Sequence, residues 1–137
     1  MKSQSLLEIV LSLGILATFL PAISILILEG YLSWIKTNQL LQAIFLAKEG
    51  IEASILIGQR NWGELSAGEH GLKLENGTWS FFGNEEEISF LKNGKRKILI
   101  EDIDPDHKKI TSKVSFEDQK GQKEEISFFV YFTFWQK

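Results

Sequence analysis

The chain has 137 residues, a formal net charge of -3 and no cysteine. This excludes a disulfide-stapled scaffold, thiol catalysis and cysteine-based zinc sites, and it offers no bulk attraction to nucleic acid. Apolar residues are densest at the N-terminus, and the remainder is long enough for one small domain.

The chain opens with a short basic leader, Met1-Lys2-Ser3. Gln4-Ser5-Leu6-Leu7-Glu8 follows, then an uncharged apolar run over residues 9–28. About twenty residues at helical rise cover ~30 Å, the hydrocarbon thickness of a bilayer. A secretory signal peptide has a shorter apolar core and a small-residue cleavage pattern after it, whereas here Glu29-Gly30-Tyr31 follows. A plain membrane anchor accounts for the length but not for Glu8. An ionisable group in a membrane helix is costly and marks a functional candidate whose partner must be named. Pro21 removes a backbone hydrogen bond and predicts a kink, and Gly14 loosens the same helix.

Ser3-Gln4-Ser5-Leu6-Leu7-Glu8-Ile9-Val10 resembles the prepilin segment of type IV pilins and pseudopilins. The resemblance is specific over residues 2 to about 28 and includes a proline near the depth of Pro21. It implies cleavage between Ser3 and Gln4 by a prepilin peptidase and N-methylation of the new terminus at Gln4. It also makes Glu8 the fifth mature residue, with a role in assembly. The sequence departs from the family at Ser3, where Gly is usual, and at Gln4, where Phe is usual. The expected fold is α+β, one long N-terminal helix packed on a small antiparallel sheet. The expected life history is a single-pass inner-membrane protein with a cytoplasmic N-terminus, later part of an extracellular pilus. The partners so implied are other pilin subunits, the peptidase, an assembly platform with a separate ATPase, and membrane lipid. Charge gives weaker support to that orientation, through Lys2 on one side and Lys36 on the other. Physically, the partner of Glu8 would be the amine freed at Gln4 on a neighbouring subunit, because a buried carboxylate needs one.

Beyond the apolar run, Leu40, Leu41, Ile44, Ala47, Ile51 and Ile55 recur at helical spacing, while Gln39, Gln42, Lys48, Glu49 and Glu52 lie off that stripe. One helix is therefore predicted from Ser5 to about Leu56, with possible bends at Gly30 and Gly50. The segments are a leader over 1–3, an apolar helical half over 4–28, an amphipathic half over 29–57 and a β-domain over 58–137. Residues 58–71, rich in Gly, Asn and Glu, read as loop. The period then changes to two. Asn76-Gly77 joins Leu72 and Leu74 to Trp79 and Phe81, a strong hairpin signal. Asn93-Gly94 is expected to join residues 88–91 to 98–100, and a turn at Gly121 to join Ile110, Val114 and Phe116 to residues 125–135. Six strands in a meander-like antiparallel sheet result.

The last strand is apolar on both faces. Ile126, Phe128, Val130, Phe132 and Phe134 alternate with Phe129, Tyr131 and Trp135, and with Ser127 and Thr133. One set should pack on the helix. The other needs cover from the 58–71 loop or from a neighbouring subunit. Asp102, Asp104 and Asp106 suggest calcium, but the Gly and Glu of a calcium loop are replaced by His107 and Lys113, so a solvated Asp-Pro turn is expected. Lys92, Lys95, Arg96 and Lys97 read as a solvated hairpin tip rather than a nucleic-acid patch. Asn76-Gly77-Thr78 matches a glycosylation sequon but reads as a turn. His70 and His107 fall in predicted loops without metal spacing. No catalytic, cofactor or metal site is expected.

The leading expectation is a structural filament subunit, not an enzyme, with close helix packing helped by Gly14, Ala17, Ala22 and Ser24. The alternatives are a pseudopilin of a type II secretion system and a single-span anchored binding module that does not polymerise.

Overall fold

The computed structural model describes the backbone of residues 2–134 and the side chains of residues 5–134. By its internal contacts the chain divides into two units, Met1–Thr37 and Asn38–Lys137. A helix, α1, runs over Lys2–Arg60 without interruption in its assignment. Leucine and isoleucine dominate its sequence, and the helix continues through two glycines and a proline in its first half.

In the second unit, α1 continues to Arg60, one turn beyond the predicted end. Asn61 stops it. Its N–H bonds the Ile57 carbonyl (2.9 Å), and its side-chain oxygen caps a short 3-10 turn, Trp62–Glu64, by accepting from Gly63 N (3.1 Å). Seven strands follow, β1 (Gly68–His70), β2 (Leu72–Glu75), β3 (Thr78–Phe81), β4 (Glu86–Ile88), β5 (Gly94–Asp104), β6 (His107–Glu117) and β7 (Lys123–Thr133). All pairings are antiparallel. The sheet order is β1-β5-β6-β7, with β4 pairing the same edge of β5 further along, and β2-β3 form a separate hairpin.

The expectation of six strands in one mostly meander-like sheet needs three corrections, the first being that β2 and β3 form a sheet of their own. Residues 58–71 are not all loop, because Gly68–His70 pair with Ile98 to Ile100 on β5. The second Asn-Gly is not a tight two-residue turn. β4 ends at Ile88, and residues 89–93 form the connection. Gly94 is already in β5, where an added Cβ would lie 2.6 Å from Leu91 Cβ and 2.9 Å from Ile88 O. Close approach, not a positive φ, requires this glycine. At the first Asn-Gly the expectation holds, with Asn76 (φ 51) and Gly77 (φ 76) both left-handed between β2 and β3.

The core lies between the last turns of α1 and the inner face of the sheet. Ala53 and Ile57 meet Leu65, Leu72, Ile98, Ile100 and Ile110. Further back, Ala43 and Ala47 meet Ile88, Leu91, Val114 and Phe116. Small side chains set the spacing. A Cβ on Gly50 would overlap Ser112 Oγ, and one on Gly58 would lie 2.8 Å from Phe132 Cε1. Beside Ala53 and Ile57, the helix face against the sheet carries a row of small residues, Ala43, Ala47, Gly50, Ser54 and Gly58, at helical spacing and all buried.

Candidate functional site

The apolar half of α1 is built outward. Large side chains from Leu6 to Leu28 are each half exposed or more, on every side of the helix. Among the described residues this is one helix long and apolar enough to cross a membrane. Its hydroxyls are turned inward. Ser12 Oγ donates to Glu8 O (2.7 Å), Thr18 Oγ1 to Ile15 O (2.8 Å) and Ser24 Oγ to Leu20 O (2.9 Å). Each of these three hydroxyls is satisfied on its own helix, which suits a surface facing hydrocarbon.

The predicted site residues fall on this segment. Ser3 and Gln4 lie within the helical backbone, but their side chains fall outside the described residues. Glu8 is exposed near the start of the helix, beside Ser5, Ile9 and Ser12. No counter-charge for it is present among the described residues. Pro21 sits inside α1 and the helix continues on both sides, so the turn before it is not melted.

Two residues here escaped the sequence reading. Tyr31 and Trp34, both exposed, stack with centroids 6.4 Å apart just beyond the apolar run. Amphipathic rings at the end of an apolar helix suit a membrane–water boundary. Their position, one turn past Leu28 and just before Lys36, was the available signal.

In the β-domain the charged motifs turn out to be structural. Arg96 is not part of a solvated tip. It is 1% exposed and lies on the inner face with Ile98 and Ile100. Its guanidinium pairs with Glu49 of α1 (2.7 Å) and Glu86 of β4 (2.7 Å) and donates to the Leu46 carbonyl (3.0 Å). One buried cation therefore ties helix and sheet together, with its charge compensated twice. The neighbouring lysines are also paired, Lys95 with Glu85 (2.5 Å), Lys97 with Glu69 (2.9 Å) and Lys92 with Glu117 (3.7 Å).

Asp102 is likewise committed. It accepts from Lys108 Nζ (2.5 Å), which also donates to the Leu65 carbonyl (2.6 Å) and lies over the Trp62 ring. Asp104 lies 3.9 Å from His107 Nδ1. Among the described residues, no three acidic or histidine side chains converge as a metal would require. The histidines are not in loops as expected. His70 ends β1, with Nε2 2.8 Å from Ser66 O and its ring against Phe81, and His107 begins β6. Asn76-Gly77-Thr78 forms the β2–β3 turn.

A hollow of about 250 Å³ opens on the outer face of the sheet. Its charged lining residues form Lys95–Glu85, Lys97–Glu69 and Lys113–Glu125 (3.4 Å) pairs. The hydrogen bond from Lys95 holds the Glu85 carboxyl below its ordinary range, and the same bond raises Lys95. Nearby, the hydrogen bond to Glu101 raises Lys109. These are mutually neutralised surface pairs.

On the last strand the inner set packs on the helix as expected, with Val130 and Phe132 against the cluster of Ala53 and Ile57, and Ile126 against Ala43 and Ala47. The 58–71 segment covers the inner set, since Trp62 packs on Phe132 (5.6 Å) and Phe134 (5.0 Å). The outer set is uncovered, with Phe129 and Tyr131 each 61% exposed and touching each other edge-on. Trp135 lies outside the described residues. The candidate functional surfaces are therefore the apolar half of α1 headed by Glu8, and the β7 edge. Compared with protein-family models, curated proteins and solved structures, the chain matches none.

Proposed function

We propose that this chain is a structural subunit of a type IV pilus-like filament, processed between Ser3 and Gln4 and assembled through its N-terminal helix. One observation carries the reading. A single helix has an outward-facing apolar half headed by one carboxylate, Glu8, and an amphipathic half packed on an antiparallel sheet. An apolar half of that kind must be covered, by lipid while the subunit is stored and by neighbouring helices once it is assembled. Inward-turned hydroxyls let the same surface serve both surroundings. Close packing of such helices relies on small residues, which Gly14, Ala17, Ala22 and Ser24 supply.

Glu8 gives the assembly its register. Removal of residues 1–3 creates an amine at Gln4, about one helical turn from Glu8 along the same axis. A carboxylate desolvated among packed helices is strongly unfavourable unless paired, and the Gln4 amine of a neighbour is its natural partner. Misregistered subunits would leave both charges unpaired. The filament then needs force from a separate motor, because the sequence contains no phosphate-binding loop.

Two measurements test this. Co-expression with a prepilin peptidase, followed by intact mass, should show loss of Met1-Lys2-Ser3. An uncut chain, where a control prepilin is cut, would refute processing. Glu8→Ala should still be cut but should fail to enter filaments made by the wild-type assembly machinery. Normal incorporation would refute the amine pairing.

A further inference from the structure

β7 is an edge strand whose sequence belongs in the middle of a sheet. It pairs with β6 on one side and with no strand on the other among the described residues. Edge strands are normally guarded by shortness, a proline, a bulge or charge. β7 runs over Lys123–Thr133, pairs with β6 without a register break, and carries charge only over its first three residues. Its apolar side chains are exposed on both faces, Phe128 on the inner face and Phe129 and Tyr131 on the outer.

The exposed half of the strand is also chemically palindromic. Ser127-Phe128-Phe129-Val130-Tyr131-Phe132-Thr133 reads the same in kind from either end, about Val130. Laid antiparallel against itself with Val130 at the centre, it sets Phe129 opposite Tyr131, Phe128 opposite Phe132 and Ser127 opposite Thr133. Aromatic meets aromatic and hydroxyl meets hydroxyl, the pairs that stabilise neighbouring strands. In that register Glu124 and Glu125 do not face their own copies.

The backbone has the matching parity. In an antiparallel ladder, alternate residues turn both N–H and C=O toward the same neighbour. At its two ends the β6–β7 ladder closes through even-numbered residues of β7's side, Asp118 N to Gln122 O (2.9 Å) and Phe134 N to Asp106 O (2.9 Å). With the register unbroken between them, even-numbered residues of β7 bond β6. Ser127, Phe129, Tyr131 and Thr133 therefore turn their N–H and C=O outward. These are the residues that a Val130-centred pairing would join by hydrogen bonds.

We infer that β7 is a self-recognition strand, through which two copies of this chain join their sheets antiparallel about a twofold axis at Val130. Such an interface is isologous, the same patch on both subunits. The pairing needs only the β-domain, so its failure would leave the filament reading untouched.

The absence of cysteine makes the test direct, because each introduced thiol is unique. Full-length Ser127→Cys and Thr133→Cys chains, co-expressed and mildly oxidised in detergent, should form a disulfide-linked dimer. Each variant alone should not, since 127 faces 133 of the other copy. Val130→Cys alone should crosslink through the axis. Crosslinks in no sample, or equally in mixed and single samples, would overturn the proposal. Tyr131→Lys provides a second arm without thiols. It should convert a dimer seen by light scattering to a monomer with unchanged circular dichroism, and a persistent dimer would overturn the strand as its cause.

Discussion

Within α1, the stretch up to Leu28 turns large apolar side chains outward on every side, whereas the stretch from Ala43 to Gly58 presents its smallest residues to a sheet. Both are regular helix. The first is exposed on every side and is written largely in interchangeable Leu and Ile. The second meets a fixed surface, and individual positions are constrained to the volume of a hydrogen or a methyl group. Secondary structure alone does not separate a surface meant for exchangeable surroundings from one meant for a single partner. Side-chain size and burial do.

The largest expected effect on that contrast comes from the buried cation. Glu49→Gln with Glu86→Gln would leave Arg96 enclosed without counter-charge. The expected loss is about 3 kcal/mol of β-domain stability, with each single change costing less because both acids are partly solvated. Unfolding by denaturant, followed through tryptophan fluorescence, reads it directly, and an unchanged midpoint would break the picture of Arg96 as the tie between helix and sheet. Next comes size. Gly50→Val should cost about 1–3 kcal/mol by overpacking against Ser112 and Ile98. Gly14→Val, with nothing within 4 Å, should leave the same unfolding curve unmoved. Equal effects at the two glycines would dissolve the comparison.

A smaller effect is expected at the end of the apolar half. Tyr31→Ala with Trp34→Ala should leave β-domain stability unchanged while altering labelling of a cysteine at position 36 by an impermeant maleimide in intact membranes. Identical labelling would remove the two rings as boundary anchors. The smallest effect is a pH dependence. The hydrogen bond from Lys95 holds the Glu85 carboxyl below its ordinary range when folded, so the pairing stabilises at neutral pH and is lost in acid as pH falls through that lowered range. Glu85→Gln should flatten that part of the stability profile slightly, because the pair is solvent-exposed. A profile identical to wild type would show that the pair contributes nothing.

Much of this fold was legible in the sequence because its signals are local. Helical spacing gave the continuation of α1 but not its packed face, since of the predicted stripe Leu40, Leu41, Ile44, Ala47, Ile51 and Ile55 only Ala47 is buried and small residues beside it meet the sheet instead. Asn76-Gly77 gave the β2–β3 hairpin. The turns around Pro105 and Gly121 gave the long β5–β6–β7 ladder. What was hidden depends on distant partners. Gly68-Glu69-His70 has no strand pattern of its own and is ordered by pairing with β5, about thirty residues away in sequence. Arg96 looked like one of four turn cations. Its parity with Ile98 and Ile100 already placed it on the core face, and Lys108 shares that parity with Ile110. Among the candidate surfaces, Glu8 stood out at once as a charge in an apolar context. The exposure of β7 did not, because an apolar strand announces burial and only the sheet order reveals an edge.

The row Ala43, Ala47, Gly50, Ser54 and Gly58 has one more consequence. Most core positions can fail in two ways, by leaving a hole or by crowding. A row already at the lower limit of side-chain size has almost nothing left to lose, so nearly every substitution there adds atoms. Divergence along this seam can run in only one direction, toward a wider gap between helix and sheet. Variation that leaves the domain intact is therefore expected at positions outside this row.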